Sequence, residues 1–518
     1  MMTSSKTDKW IITITVMIGT IMSALDSSIV NVALPYMRGS LSATIEEITW
    51  VATGYILSNV IIMPIVGMLS ARYGRKKFYL ISIVGFTISS MLCGMAWDLT
   101  SMVVFRIIQG IGGGTLIPVS QAILRETFPP EEQGMAMGLY GFGVVLGPAF
   151  GPTIGGWLTD HYSWPWIFYI NVPIGIINVL MVMRFIKDPH YLVREKGKID
   201  LLGLGFMTVG LGALQIMLEK GEQEAWFESH MIRFLLIAAL AGIILFIWRE
   251  LTCDKPAVDL RILKDVNFAS GSLLGGFLGM GLMGSLFLLP MFLQQLLGYP
   301  ALDSGLIQMP RSIAMAIAMP VGGKLYNRLG PRVLIGSGLV VTALSFYQLS
   351  RLSLSIGYLD VLFPQLLQGA GFGMIFVALS TAALSTVEKH TLTAAAGLYN
   401  VVRQVFGSIG IAVAASQLTK SMTIYHAHLA EHVTDYGNAA SDWLQSVSGG
   451  MQGQGVDPAT ARQMALTLLD GELSRQAGMI AYNHMFLLVT VLFIISMPFI
   501  FLLKSTKKRE SMEEIVAE

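Results

Sequence analysis

The sequence predicts an all-α polytopic membrane protein of about fourteen spanning helices, arranged as two six-helix bundles with two further helices between them. Three observations predict it: regularly spaced apolar runs, a one-sided distribution of lysine and arginine between those runs, and an internal repeat. Composition agrees. Of 518 residues, 53% are hydrophobic and 13% charged, with a net charge of +1, too apolar for an ordinary globular domain and without the basic excess that nucleic-acid binding requires.

The first run, 10–35, follows Lys6 and Lys9 in the manner of a signal peptide. Its length and the lack of an Ala-x-Ala site make it a retained span. Further runs fall at roughly 48–69, 78–97, 101–124, 134–157, 165–186, 200–219, 231–250, 267–296, 304–323, 332–350, 358–384, 394–419 and 480–503, each long enough to cross with tilt. An inside N-terminus gathers the basic residues on one side. These are Arg72, Arg75, Lys76 and Lys77; Arg184, Lys187, Arg194, Lys196 and Lys198; Arg249, Lys255, Arg261 and Lys264; Lys324, Arg328 and Arg332; and Lys504, Lys507, Lys508 and Arg509. The other side keeps only scattered cations such as Arg38, Lys220 and Arg351. An even helix count then places both termini in the cytoplasm.

The repeat fixes the architecture. Gly67-x-Leu69-x-x-Arg72-x-Gly74, ahead of Arg75, recurs as Gly323-x-Leu325-x-x-Arg328-x-Gly330. Gln109-Gly110-x-Gly112-x-Gly114 recurs as Gln368-Gly369-x-Gly371-x-Gly373, and Gly138-Leu139-Tyr140 as Gly397-Leu398-Tyr399. Matching spans lie eight apart. Residues 1–190 therefore form one bundle, 191–262 supply two linker spans, and 263–518 form the second bundle, with an external loop at about 421–478. Parallel repeats place a substrate site at the midplane between halves.

The fifth span carries Gly141, Gly143, Gly147, Gly151, Gly155 and Gly156 together with Pro148 and Pro152. Small residues four apart let two helix backbones touch, and the prolines bend the helix. The expected result is a bent, tightly docked span that helps seal the two halves.

These segments resemble a known family. Gly67 to Lys77 is similar to the major facilitator loop motif, Arg106-x-x-Gln109-Gly110 to its fourth-helix motif, and Gly143-x-x-x-Gly147-Pro148-x-x-x-Pro152-x-x-Gly155-Gly156 to its antiporter motif. Leu25-Asp26 through Asn31 to Pro35, Trp164-x-Trp166-Ile-Phe168-Tyr-Ile-Asn171-Val-Pro173 and Asn400-x-x-Arg403 resemble the fourteen-helix drug:proton antiporters of the EmrB/QacA type. The loop motif departs from the family where it usually carries an acid: Ala71 stands there, and Asn327 in the second half. The resemblance implies the major facilitator fold, a bacterial inner or cytoplasmic membrane, and gating by the two loop motifs. In a two-membrane cell it also implies a periplasmic adaptor and an outer-membrane channel as partners.

Proton coupling needs a group inside the membrane that binds and releases a proton. Asp26 is the clear candidate; Glu219, Glu388 and His484 fall near predicted span ends. Burial favours a neutral carboxyl and a nearby cation reverses that, so occupancy can control protonation. Asp26 lies nine residues before Pro35, and Arg106 a few residues into the fourth span from the same side. Their depths nearly match, which permits an ion pair; the resemblance implies that Arg106 tunes proton exchange. Arg311 and Arg403 also lie in apolar runs, and the repeat gives neither a counterpart in the first half. One acid and three guanidiniums suit lipophilic anions, while direct contact of Asp26 with a cationic drug stays open. Candidate cavity residues are Tyr55, Gln109, Tyr140, Gln294, Gln295, Gln368, Phe372, Tyr399, Asn400 and Gln404, with Arg311 and Arg403. Thirty-one methionines add a surface able to repack around varied apolar molecules.

Other chemistries are poorly served. The run Gly110 to Gly114 follows no strand and no Walker motif is evident, so an ion gradient is the expected energy source and no cofactor is expected. His426, His428 and His432 lack a second ligand cluster and read as exposed on a polar excursion, with a flexible break at Gly449, Gly450, Gly453 and Gly455 and renewed helix from Pro458 to Leu469. No metal site is expected, neither Cys93 nor Cys253 looks functional, and no nucleophile, base and orienting group fall together. The expected function is proton-driven export of lipophilic toxic compounds by alternating access. The alternatives are an uptake carrier or symporter of the same fold, or a non-transporting membrane sensor.

Overall fold

The computed structural model describes residues 6–188, 200–253, 256–433 and 438–503. Arg194, Lys196, Lys198, Lys255, Lys504, Lys507, Lys508 and Arg509 lie outside the described residues. The first bundle comprises α1 (Lys6–Ser40), α2 (Ile45–Tyr73), α3 (Arg75–Gly94), α4 (Leu99–Thr127), α5 (Gln133–His161) and α6 (Trp166–Phe185). The linker pair is α7 (Leu201–Lys220) and α8 (His230–Thr252). The second bundle comprises α9 (Val266–Leu296), α10 (Ala301–Leu329), α11 (Pro331–Leu349), α12 (Tyr358–Ala383), α13 (Leu392–Glu431) and α15 (Pro458–Leu502), with α14 (Asn438–Gly453) before the last.

Thirteen described helices are long and apolar enough to cross a membrane. The remaining span, α10, interrupts its apolar sequence with Gln308, Arg311 and Lys324, yet runs for 29 residues and packs between α5 and α12. Tertiary contact overrides its weak hydropathy signal, giving two six-helix bundles with a linker pair between them.

Local chemistry sets the breaks. Asp98 accepts the Ser101 backbone N–H at 2.7 Å and opens α4, while Thr44 and Glu47 cap the start of α2 reciprocally. Between α2 and α3 stands Gly74 at φ 85°, and between α10 and α11 its repeat partner Gly330 at φ 78°. Both need a left-handed backbone that a β-carbon would strain. Arg75 then forms a buried ion pair with Glu126 at the end of α4.

The described basic residues around these turns mark one end of the bundle. Both described chain ends lie there too: Lys9 pairs with Glu132 at 3.1 Å, and Arg332 donates to the Leu503 carbonyl at 2.8 Å. The two bundles also meet at this basic end. Gly134 faces Gly323 backbone to backbone, Gly138 lies against Met319, and Gly67 lies against Ala394. Arg125 donates to the Thr381 carbonyl at 3.1 Å, Asn400 to Gln121 at 2.9 Å, and Asn327 to the Glu131 carbonyl.

The glycine stripe of α5 has a different neighbour from the one expected. Gly147, Gly151 and Gly155 dock on α1 at Ala24, Ser28 and Ile29, inside the same bundle, and the Ser28 hydroxyl donates to the Gly147 carbonyl at 2.9 Å. Gly143 also faces α1, through Met17 and Ile21, whereas Gly156 has only Val32 at 4.0 Å. The residues of α5 that meet the second bundle are Gly134, Gly138 and, of the expected glycines, Gly141, which lies against Met319 and Phe376. Pro148 and Pro152 lie within the continuous helix.

The loop expected at 421–478 is mostly helix. The α13 helix continues to Glu431, α15 begins at Pro458, and Gly449, Gly450 and Gly453 sit within α14 rather than in a break. The turn falls at Gly455, φ 92°. His426 bonds Asp470 on α15 at 3.0 Å.

Candidate functional site: a buried carboxylate cage

Asp26 sits where α1 meets α4 and α6, fully buried. Arg106 Nη1 donates to Asp26 Oδ2 at 2.6 Å, while Gln109 Nε2 and Asn171 Nδ2 donate to Oδ1 at 2.8 and 3.1 Å. The i, i+3 spacing of Arg106 and Gln109 puts both on one face of α4, and Gln109 Oε1 accepts a second Arg106 bond at 2.7 Å. Arg106 Nε reaches the Val51 carbonyl at 3.0 Å, and its guanidinium stacks over the Tyr55 ring at 4.2 Å. The buried pair is thus further hydrogen-bonded on both sides, the condition a buried ion pair needs to offset desolvation.

Chemically, every contact to Asp26 comes from a donor. Three donors occupy three of the carboxylate's four lone-pair positions, two on Oδ1 and one on Oδ2. The cage therefore ties the carboxyl to the relative positions of α1, α4 and α6.

Several candidates for the substrate cavity are placed elsewhere. Gln109 and Tyr55 belong to the Asp26 cage. Phe372 is fully buried against Phe346 and Phe493, in packing among α11, α12 and α15. Gln294 and Gln295 are exposed in a π-helical turn at the end of α9 away from the basic end. Facing the interface are Tyr140, stacked with Phe376 at 6.4 Å, and Asn400, bonded across to Gln121. Tyr399 is fully buried one residue before it; Arg403 and Gln404 are half-buried a turn further, with Arg403 over Phe376 at 5.0 Å. Arg311 and Gln368 form a separate polar cluster in the second bundle. At the two loop motifs, Gly67, Gly74, Gly323 and Gly330 occupy the close contacts and turns described above, Arg75 pairs with Glu126, and Arg328 is exposed. Arg72, half-buried, lies one residue ahead of the turn's Tyr73.

Asn171 was legible only as part of a motif without a role. It sits on α6, far along the chain from Asp26, and also bonds Ser90 at 3.0 Å.

Two repeated helical bundles, closed against each other at one end and holding a buried carboxylate and guanidinium, define the architecture of a multi-pass membrane transporter. The chain matches the Major Facilitator Superfamily over residues 16–411 and belongs to that superfamily. It is 35% identical to the fatty acid resistance protein FarB of Neisseria gonorrhoeae, covering 95% of this chain and 96% of that one. It is 34% identical to the multidrug export protein EmrB of Escherichia coli K12, covering 95% of each. Among solved structures, a double-tryptophan mutant of XylE shares the fold with a TM-score of 0.60 at 13% identity, over 99% of this chain and all of that one.

Proposed function

We propose that the protein is a proton-driven multidrug efflux antiporter that exports lipophilic compounds across a bacterial inner membrane, with Asp26 as the coupling acid. The observation that carries this reading is the Asp26 cage, buried and built of donors alone, in a chain whose relatives are named for multidrug export and fatty acid resistance. The basic end is read as cytoplasmic, with both termini there. Substrate enters from the cytoplasm or inner leaflet when that end opens, and Asp26 gives up its proton; facing outward, reprotonation removes the charge that holds Arg106 and favours release. Coupling requires only that substrate and proton oppose one another. Arg106 acts as the positioning cation, and Gln109 and Asn171 as donors that follow it.

The test is substrate-induced proton release in proteoliposomes. The parent is expected to release protons on adding a transported compound, and Asp26→Asn to bind that compound while releasing none. Proton release by Asp26→Asn at the parent level overturns the role of Asp26 and moves the search to Glu219, Glu388 or His484.

The protruding α13–α15 region supports docking of a periplasmic adaptor that leads to an outer-membrane channel. Removing residues 432–457 is expected to leave a folded transporter, assayed by size-exclusion chromatography, with lowered resistance in a two-membrane host. Unchanged resistance excludes that docking.

A further inference from the structure

The second bundle contains a cationic counterpart of the Asp26 cage that lacks an acid. In the repeat, Gly67 matches Gly323 and Gln109 matches Gln368. Counting back in register, Tyr55 corresponds to Arg311 and Arg106 to Gln365. The guanidinium has moved from α4 to the helix equivalent to α2, into the place where Tyr55 stacks on Arg106.

Arg311 is 4% exposed, and its contacts are slack. Its Nη1 lies 3.5 Å from Ser285 Oγ and 3.4 Å from Gln368 Oε1, and its Nη2 lies 3.4 Å from Gln308 Oε1. Charge-assisted hydrogen bonds normally close to roughly 2.7–2.9 Å, and those of Arg106 lie at 2.6, 2.7 and 3.0 Å. Among the described residues no carboxylate lies within ion-pair distance of Arg311. The Nε2 of Gln368, whose Oε1 faces Arg311, has no protein partner, and neither do both amide atoms of fully buried Gln365, one turn before Gln368 on α12, or the hydroxyl of Ser304, two turns before Arg311 on α10. Ser304, Gln308 and Arg311 share one face of α10. Gln308, half-buried, donates to the Ser304 carbonyl at 3.1 Å, so a polar track leads from the end remote from the basic turns down to the guanidinium.

A buried intramembrane cation with loose neutral contacts and idle donors beside it is the complement of an anion. We propose that Arg311, with Gln365 and Gln368, binds the anionic head of a lipophilic substrate, a carboxylate first of all. This inference rests on the efflux reading and deepens it by assigning substrate charge. The two bundles then divide the labour: Asp26 with Arg106 handles the proton, and Arg311 the substrate anion. The planar fork of an arginine suits a carboxylate bidentately, which a lysine cannot reproduce.

The experiment measures equilibrium binding of laurate and of dodecanol, its neutral analogue, to the full chain in lipid nanodiscs at neutral pH. The parent is expected to prefer laurate by roughly tenfold to a hundredfold. Arg311→Gln is expected to bring the ratio near one, and Arg311→Lys to keep an intermediate preference. A purely structural role would weaken both ligands together and leave their ratio intact. If Arg311→Gln does not yield a monodisperse protein, Gln365→Leu and Arg311→Lys provide the reading, each with a reduced ratio. A parent without preference, or variants that keep the parent ratio, overturn the proposal. Proton release driven by the lipophilic cation tetraphenylphosphonium is followed in parallel. Its presence beside an unchanged laurate ratio rejects the anion site alone, whereas a collapsed ratio with no proton release by any compound rejects the efflux reading and leaves the binding site.

Discussion

At the scale of single residues, the Asp26 cage separates charge from water with donors drawn from two helices. Asn171 contributes one of these from α6, where it also holds Ser90. Losing a hydrogen bond to a charged group costs about 1.5–3 kcal/mol. Asn171→Leu is therefore expected to cut substrate-driven proton release by roughly tenfold or more while substrate binding persists, measured in the proteoliposomes used for Asp26→Asn. Equal loss of binding and coupling would assign Asn171 to packing instead. The sequence carried the two charges of this site because an acid and an arginine at matching depth in apolar runs stand out. It could not carry Asn171, Val51 or the Tyr55 stacking, since amides, carbonyls and rings are common in spans and only the three-dimensional crossing of α2, α4 and α6 singles them out. For the same reason Phe372 and Gln109 looked equally suited to a cavity, and only packing separates them.

At the scale of elements, the stripe on α5 was legible as a close-packing surface, but its partner was not. Glycines at four-residue spacing say that a backbone comes near; they do not say whose. The contact with α1 makes a graded prediction. A β-carbon at Gly147 or Gly151 would overlap Ala24 backbone or the Ser28 hydroxyl, whereas one at Gly156 would meet only Val32 at 4.0 Å. Gly151→Val is expected to destabilise the first bundle by about 1–3 kcal/mol, seen as a lower Tm in detergent, with Gly156→Ala near parent. The linker hairpin offers a second test. Asp200 joins α7 to α8 through Arg249 at 2.8 and 3.3 Å and caps Gly203. The Arg249 hydrogen bond holds the Asp200 carboxyl below the usual carboxylate range. A depressed folded-state value means the tie is present above the ordinary carboxylate range and is lost as pH falls through the depressed one. Hydrogen-exchange protection factors at the first turn of α7, corrected for the intrinsic pH dependence of exchange, should fall in that acidic window for the parent, and Asp200→Asn should show the lowered protection at every pH.

At the scale of the whole molecule, the repeat made the two-bundle architecture readable, while the positions where the repeats differ were not interpretable without coordinates. The repeat offset sets Arg311 opposite Tyr55, but only the coordinates show its slack neutral contacts and the lack of an ion-pair partner among the described residues. The closed basic end was legible only as a pair of loop motifs; its seal depends on Gly134 against Gly323 and on Asn400 reaching Gln121. Gly134→Val is expected to pry that end apart. Distances between spin labels on the α4–α5 and α10–α11 turns should lengthen relative to the parent, and an unchanged distribution would move the seal elsewhere.

The uninterrupted α13 helix has a mechanical consequence. Its 40 residues extend roughly 60 Å at about 1.5 Å per residue, twice the roughly 30 Å of hydrocarbon. Near its first turns it is gripped by Gly67 and Gln121; at its far end it is braced to α15 by His426 and Asp470. Such a rod is a lever with its fulcrum at the seal between the bundles. A tilt of about ten degrees at the seal sweeps the tip sideways by about 10 Å, so each transport stroke would be felt by any protein seated above the membrane as a push.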